Sequence, residues 1–281
     1  MVFPPRRILA ACDLSPASLE AWERARALAE RFGAELEAVH VVEWLTPEGV
    51  LVPEMLTAAG RRALVEKLER ECPGGSAYHV REGLPVVGIL SVARRRRADL
   101  LTLSSEGRTG LSRLARGSVA EAVVRESPVP VLTYRGVARA VRSVLAPVNL
   151  EEYSIAGFAQ AAEAARAWGA TITLLHVLPD LSGRAVARFR LEAAVAALPE
   201  DLRRAVTPRV ELAAGQAVRR IASESSRHDL VALVAHRKGL LRDAVLGTTA
   251  EQVLRLSRVP VLTVPAAAPL AAPKAQARRA P

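Results

Sequence analysis

A pattern of six residues, Leu19, Trp22, Ala25, Ala29, Phe32 and Gly33, returns 136 positions later as Ile155, Phe158, Ala161, Ala165, Trp168 and Gly169. His40-Val41 returns at the same spacing as His176-Val177. Further along, the spacing is 130: Asp99-Leu100 returns as Asp229-Leu230, Gly117-Ser118 as Gly247-Thr248, and Pro130-Val131-Leu132-Thr133 as Pro260-Val261-Leu262-Thr263. A repeat of this length is a whole domain and not a solenoid unit. The second copy therefore carries about six residues fewer in its middle. The chain of 281 residues divides into residues 1–138, residues 139–265 and a tail, residues 266–281. The tail is basic, rich in Ala and Pro and without apolar periodicity, so it is expected to be disordered.

Each copy alternates between strand-like and helix-like patterns. In the first, Ile8 to Ala11 reads as a short buried strand. Ser15-Pro16 then starts a helix, with serine as N-cap and proline at the first helical position. Leu19, Trp22, Ala25, Ala29 and Phe32 fall on one helical face, and Gly33 ends it. Strands follow at Leu36 to Val42, near Tyr78 to Val80, at Leu100 to Leu103 and at Val129 to Thr133. Helices fall around Thr57 to Arg70, from Pro85 to Arg96 and from Ser118 to Arg125. Strands separated by helices predict a mostly parallel, doubly wound α/β sheet of five strands in each copy, with helices on both faces.

Lys plus Arg number 39 against 29 Asp plus Glu, a net charge of +10 that favours anionic partners without choosing among them. Arginine is spread along the whole chain rather than gathered with aromatics on one surface, so specific nucleic-acid binding is not expected. The run Arg94 to Arg97 closes a helix, where cations suit the negative pole of the dipole, and reads as a solvated helix end. The cysteines, Cys12 and Cys72, stand in no C-x-x-C or Cys/His cluster, and their scarcity suits a reducing cytoplasm. No apolar run approaches the roughly 18 residues of a membrane span. Leu9-Ala10-Ala11-Cys12 looks like a lipoprotein cleavage box, but the apolar stretch after Arg6-Arg7 is too short for a signal core and reads as a strand.

In sheets of this kind ligands sit at the carboxyl ends of strands, where strand order reverses. The first strand ends in Ala11-Cys12-Asp13, and the fourth runs into Ser104-Ser105-Glu106-Gly107, Arg108-Thr109-Gly110 and finally Gly117-Ser118 at a helix start. Small residues let backbone N–H groups approach a phosphate, and a helix N-terminus adds donors and a positive pole. Arg108, Arg113 and Arg116 add charge, and Asp13 is an acceptor for the amino group of a purine. An ordinary strand-to-helix loop with glycine turns and a serine cap would have the same spacing. No Walker, dinucleotide-fingerprint or nucleophile-elbow motif is present.

Taken together these residues resemble the universal stress protein family. Its ATP-binding branch has an Asp after the first strand, a G-x-[PA] turn before the third helix and G-x2-G-x9-G-[ST] after the fourth strand. Asp13, Gly83-Leu84-Pro85, and Gly107 followed after nine residues by Gly117-Ser118 match that pattern. Ser104 stands where the first motif glycine is usual. The resemblance implies a Rossmann-like fold of the adenine nucleotide alpha hydrolase type, with Ala11 to Asp13 and Val41 framing adenine. It puts Ser104, Gly107 and Arg108 near ribose and phosphates, and Gly117, Ser118 and Val119 around the phosphates, which could carry Mg²⁺. A left-handed backbone at Ser104 would cost about 1–2 kcal/mol; a need for smallness alone would not.

In the second copy Asn149 replaces Asp13, Val234 replaces Ser104 and Arg237 replaces Gly107, leaving only Gly247-Thr248. Val234 is expected to crowd a ligand, His236 to be an ordinary loop histidine, and the second copy to be a structural half. The leading expectation is a cytoplasmic regulatory protein that binds ATP in its first copy. No acid–base–metal constellation is assembled, so a slow ATP hydrolase is secondary and would rest on Glu106. A nucleotide-free interaction module is the other alternative. Val129 to Thr133 and Val259 to Thr263 are expected as edge strands that join the copies into an intrachain pseudo-dimer and draw two chains into a homodimer.

Overall fold

The computed structural model describes residues 3–43, 56–105, 118–135, 139–180, 182–235 and 248–265. In the first half β1 (Arg7–Ala11), β2 (Glu35–Val42), β3 (Ala77–Glu82), β4 (Leu100–Ser104) and β5 (Val131–Tyr134) alternate with α1 (Pro16–Phe32), α2 (Ala58–Glu71), α3 (Pro85–Arg96) and α4 (Ser118–Glu126). Local chemistry sets most of these bounds. The Ser15 Oγ accepts from the Ser18 N–H and caps α1. Gly33 takes the left-handed conformation at φ 63° and ends it. The last strand starts two residues later than its apolar pattern suggests. The Ser127 side chain takes both the Val129 N–H and its carbonyl, and Pro130 has no N–H for a ladder.

The second half repeats the order with β6 (Ser143–Pro147), α5 (Glu152–Trp168), β7 (Thr171–Leu178), β8 (Arg209–Ala214), α8 (Ala217–Ser225), β9 (Leu230–Ala235), α9 (Thr248–Leu256) and β10 (Val261–Pro265). Its middle connection holds two helices, α6 (Arg184–Ala196) and α7 (Glu200–Val206). Pro199 starts the second, and Glu200 and Asp201 give it an acidic first turn.

The ten strands form one sheet in the order β3-β2-β1-β4-β5-β10-β9-β6-β7-β8. Every pair is parallel except β5 with β10, which run antiparallel with Leu132 opposite Leu262. Val131 faces Thr263 and Thr133 faces Val261, so the seam has two-fold form. The Thr133 hydroxyl donates to the Val261 carbonyl across it at 3.1 Å. The strands expected as edges are therefore edges only of their own halves. In the whole sheet they lie at the centre, and β3 and β8 form the rims.

Two apolar layers cover the sheet, and each is continuous across the seam. One includes Trp22, Leu68, Phe158, Leu191 and Leu202, from α1, α2, α5, α6 and α7. The other includes Ile89, Val123, Ile221 and Val253, from α3, α4, α8 and α9. Burying one such large side chain is worth roughly 1.5–3 kcal/mol, so the shared layers join the halves firmly. Phe32 and Trp168, equivalent helix-end residues, meet with ring centroids 5.8 Å apart. On the opposite face Arg255 of α9 grips the buried carboxylate of Glu121 on α4 through Nε at 2.5 Å and Nη2 at 2.8 Å.

Candidate functional site

Strand order reverses at β1, which pairs with β2 on one side and β4 on the other. The carboxyl ends of β1 and β4 therefore flank the crevice where this kind of sheet takes ligands. Cys12 extends the ladder one residue past β1, its N–H donating to the Val39 carbonyl at 2.9 Å. Asp13 then leaves the sheet, and its Oδ1 accepts from the Ser15 N–H at 3.0 Å. Leu14, between them, sits at φ 63°, a left-handed conformation that disfavours a residue with Cβ by about 1–2 kcal/mol. Below the turn, buried His40 on β2 bonds the Cys12 carbonyl through Nδ1 at 2.8 Å. His40 thus fixes the peptide that presents Asp13. Sequence reasoning marked it only as part of the repeat; its return as His176 was the signal, because His176 Nδ1 bonds the Val148 carbonyl at 2.8 Å.

Ser104 is the last residue of β4, paired with Tyr134, and is not among the positive-φ residues. The left-handed penalty weighed for it does not arise. With Ala17, Ala21, Arg24 and Tyr134 it lines a shallow recess against α1. The Arg24 guanidinium lies 5.7 Å from the centroid of the Tyr134 ring and is held by Glu20. Val41, half-buried, packs on α3, where a Cβ at Gly88 would come within 2.8 Å of its Cγ2. Gly83 has φ 117° and bonds the Val42 carbonyl, which turns the chain into Leu84-Pro85 and α3. Ala11 and Val119 are half-buried against the α3–α4 layer. Ser118 opens α4. Glu106, Gly107, Arg108, Arg113, Arg116 and Gly117 lie outside the described residues.

The opposite, amino-terminal ends of the strands are held by structural carboxylates. Asp99 Oδ2 accepts from the N–H groups of Arg6 and Arg7 at 2.9 and 3.0 Å, and Asp229 does the same for Arg142 and Ser143. That accounts for the Asp-Leu repeat. The arginine run is only partly a solvated helix end. Arg96 reaches back to the buried Glu37 on β2, with contacts of 2.7 and 2.9 Å, and His79 on β3 meets the same carboxylate at 2.7 Å. Burial pushes the Glu37 pKa up, but the bonds from Arg96 and His79 outweigh it and hold the carboxyl below its ordinary value.

The second half copies the turn with different partners. Leu150, like Leu14, is left-handed at φ 64°. The Asn149 amide donates to the Tyr153 hydroxyl at 2.6 Å, where the first half has Ala17. Arg190 of α6 donates to the Leu150 carbonyl at 2.8 Å. The Val234 side chain packs on α5, where a Cβ on Gly157 would stand 2.2 Å from its Cγ2. The pair Ala21 and Ser104 has become Gly157 and Val234, a larger strand residue accommodated by a smaller helix residue. His236, Arg237 and Gly247 lie outside the described residues, and Thr248 opens α9.

Among the described residues no group of three or more His, Cys, Asp or Glu could hold a metal ion, and no helix is long and apolar enough to cross a membrane. Residues 5–135 and 140–265 each match the universal stress protein family. A universal stress protein of Methanocaldococcus jannaschii is 35% identical over 139 residues, 46% of this chain and 82% of that protein. One from Thermus aquaticus is 33% identical over 137 residues, 46% of this chain and 98% of the relative. Among solved structures, a universal stress protein from Archaeoglobus fulgidus superposes with a TM-score of 0.69 at 21% identity, covering 94% of this chain and all of its own. A second, from Pseudomonas aeruginosa, gives 0.62 at 17% identity, over 93% of this chain and 94% of the other. Both share the fold.

Proposed function

This chain belongs to the universal stress protein family, and from that premise we propose that its first half binds an adenine nucleotide, ATP, as a regulatory element of a stress response. The observation that carries the reading is the Asp13 turn. It stands at the carboxyl end of β1, beside β4, on a left-handed Leu14 and over a buried His40 that fixes its peptide. A carboxylate accepts only, which suits the exocyclic amino group of a purine. Ala11, Cys12 and Val41 line the same end of the crevice in this reading. Ser104, Gly107 and Arg108 take ribose and phosphates, and Gly117, Ser118 and Val119 present the amino end of α4 to the phosphates. Mg²⁺ would ride on those phosphates.

The second half is a structural partner in this reading, because Tyr153 and Arg190 occupy its turn. The pairing of β5 with β10 makes the single chain a complete pseudo-dimer, and a homodimer of two chains in the cytoplasm would use another surface. Binding rather than turnover is the role. Phosphate release from ATP above a buffer blank, lost in Gly117→Val, would instead make the chain a slow hydrolase.

The test is a nucleotide count. Purified protein is denatured and the released nucleotide quantified, then apoprotein is titrated with ATP. The expected result is one adenine nucleotide per chain. Asp13→Asn should weaken ATP binding roughly 10- to 100-fold, the range for losing a hydrogen bond to a charged group. Two nucleotides per chain would overturn the structural role of the second half. None, with no uptake of added ATP, would leave a nucleotide-free interaction module.

A further inference from the structure

The two cysteines, 60 residues apart in sequence, meet in the fold. Cys12 follows β1, and Cys72 caps the carboxyl end of α2 with its N–H on the Leu68 carbonyl at 2.7 Å. Both thiols are buried, and the Cys72 Sγ donates to the Cys12 Sγ at 3.6 Å. A disulfide needs about 2.05 Å, so the sulfurs have roughly 1.5 Å to close. We propose that Cys12 and Cys72 are a redox modification site, in which a peroxide converts the facing thiols into a reversible intrachain disulfide.

The surroundings give the two sulfurs different roles. The Cys12 thiol is lowered from 9.0 to about 7, chiefly by the hydrogen bond from Cys72, against the opposing effect of burial and with help from Ser18 and the Leu14 N–H. The Cys72 thiol is pushed far up by the same bond and by burial. Cys12 is thus the thiolate that attacks, and Cys72 the resolving thiol. In the first step the Cys12 sulfur takes one peroxide oxygen, the O–O bond breaks, and one water leaves with the Cys12 proton. In the second, the Cys72 sulfur displaces that oxygen, which departs as a second water with the Cys72 proton. Two thiols lose two electrons and two protons, and one peroxide becomes two waters.

Access follows from α2. Leu68 is its only fully buried residue, so local opening of this shallowly packed helix is the proposed route to the thiols. A peroxide is small and neutral and needs no more than such an opening. The second half has Val148 where the first has Cys12, which confines the chemistry to the half carrying Asp13. The disulfide forms whether or not the crevice beside it holds a nucleotide, so its test stands apart from the nucleotide count.

The experiment treats the full-length protein with a few equivalents of hydrogen peroxide, quenches it, and maps peptides under non-reducing conditions. Expected are a Cys12–Cys72 linked peptide pair, a fall from two titratable thiols per denatured chain to none, and full return with dithiothreitol. Cys72→Ser should stop at a sulfenic acid on Cys12, trapped by dimedone. The wild-type peptide map decides the proposal even if that variant fails to fold. Two thiols still free after peroxide, or links between chains instead of within one, would overturn it. A dimedone adduct on Cys72 of Cys12→Ser, with none on Cys12 of Cys72→Ser, would overturn the assigned roles.

Discussion

Asp13 and Asn149 occupy the same turn, each accepting from a backbone N–H two residues on, at 3.0 and 3.1 Å, and each followed by a left-handed leucine. The strain is kept in both halves, so it belongs to the turn; the charge belongs to the first half alone, and the Tyr153 and Arg190 contacts to the second. At this scale Glu37 also gives a prediction. Its folded pKa is depressed, so its contribution to stability is present above its unfolded value, near 4.5, and is lost as pH falls through the lower folded value. Glu37→Gln should destabilise by roughly 1–3 kcal/mol at neutral pH, the range for hydrogen bonds to a charged group. Denaturant midpoints measured from pH 7 to pH 3 should converge for wild type and variant at the acid end. A gap that stays constant with pH would remove the carboxylate from the account. None of this was legible in the sequence, because Glu37 and Arg96 are 59 residues apart and nothing local marks either as a partner. The same holds for Cys12 and Cys72, whose spacing carried no redox signature. Asp13 and Ser104 were legible as strand ends, since each follows a short apolar run.

Elements announced themselves where the signal was local. Ser15-Pro16, Thr57 and Leu84-Pro85 mark helix starts that the structure keeps, and Gly33 and Gly169 mark ends. The break between α6 and α7 was not foreseen, because the shortened middle of the second copy gave no aligned counterpart to read. The packing of Val234 was not legible for a related reason. A strand residue has two faces, and only the contact with Gly157 shows that this one points to α5. Gly157→Ala should therefore destabilise by roughly 1–3 kcal/mol through overpacking. Adding Val234→Ala should recover much of that loss, so that the double variant is more stable than the sum of the single effects predicts. Thermal or urea unfolding of the four proteins checks it; simple additivity would mean that helix and strand do not press on each other there.

Across the whole molecule the repeat correctly foretold two copies of one fold, but not how completely they merge. Both apolar layers run through the seam, and the Glu121–Arg255 pair and the Phe32–Trp168 contact tie helices of opposite halves. The halves should therefore unfold together. Far-UV circular dichroism and tryptophan fluorescence should report one coincident transition in urea. Two separated transitions would show that each half carries its own stability. The pairing of the two last strands was expected from the sequence; the continuity of the layers was not, because it rests on helix residues far apart in the chain that no local pattern links.

The seam itself has a further consequence. Leu132 against Leu262 is the contact a pair of identical molecules would make about a two-fold axis, yet one polypeptide supplies both sides. In a symmetric pair every substitution is made twice, once on each side of the axis. Here Cys12 stands across from Val148, Ala17 from Tyr153 and Ser104 from Val234, and no position has to serve two places at once. Covalent connection fixes the stoichiometry at one of each half within every chain. The symmetry survives in the backbone, while the side chains are free to divide the labour.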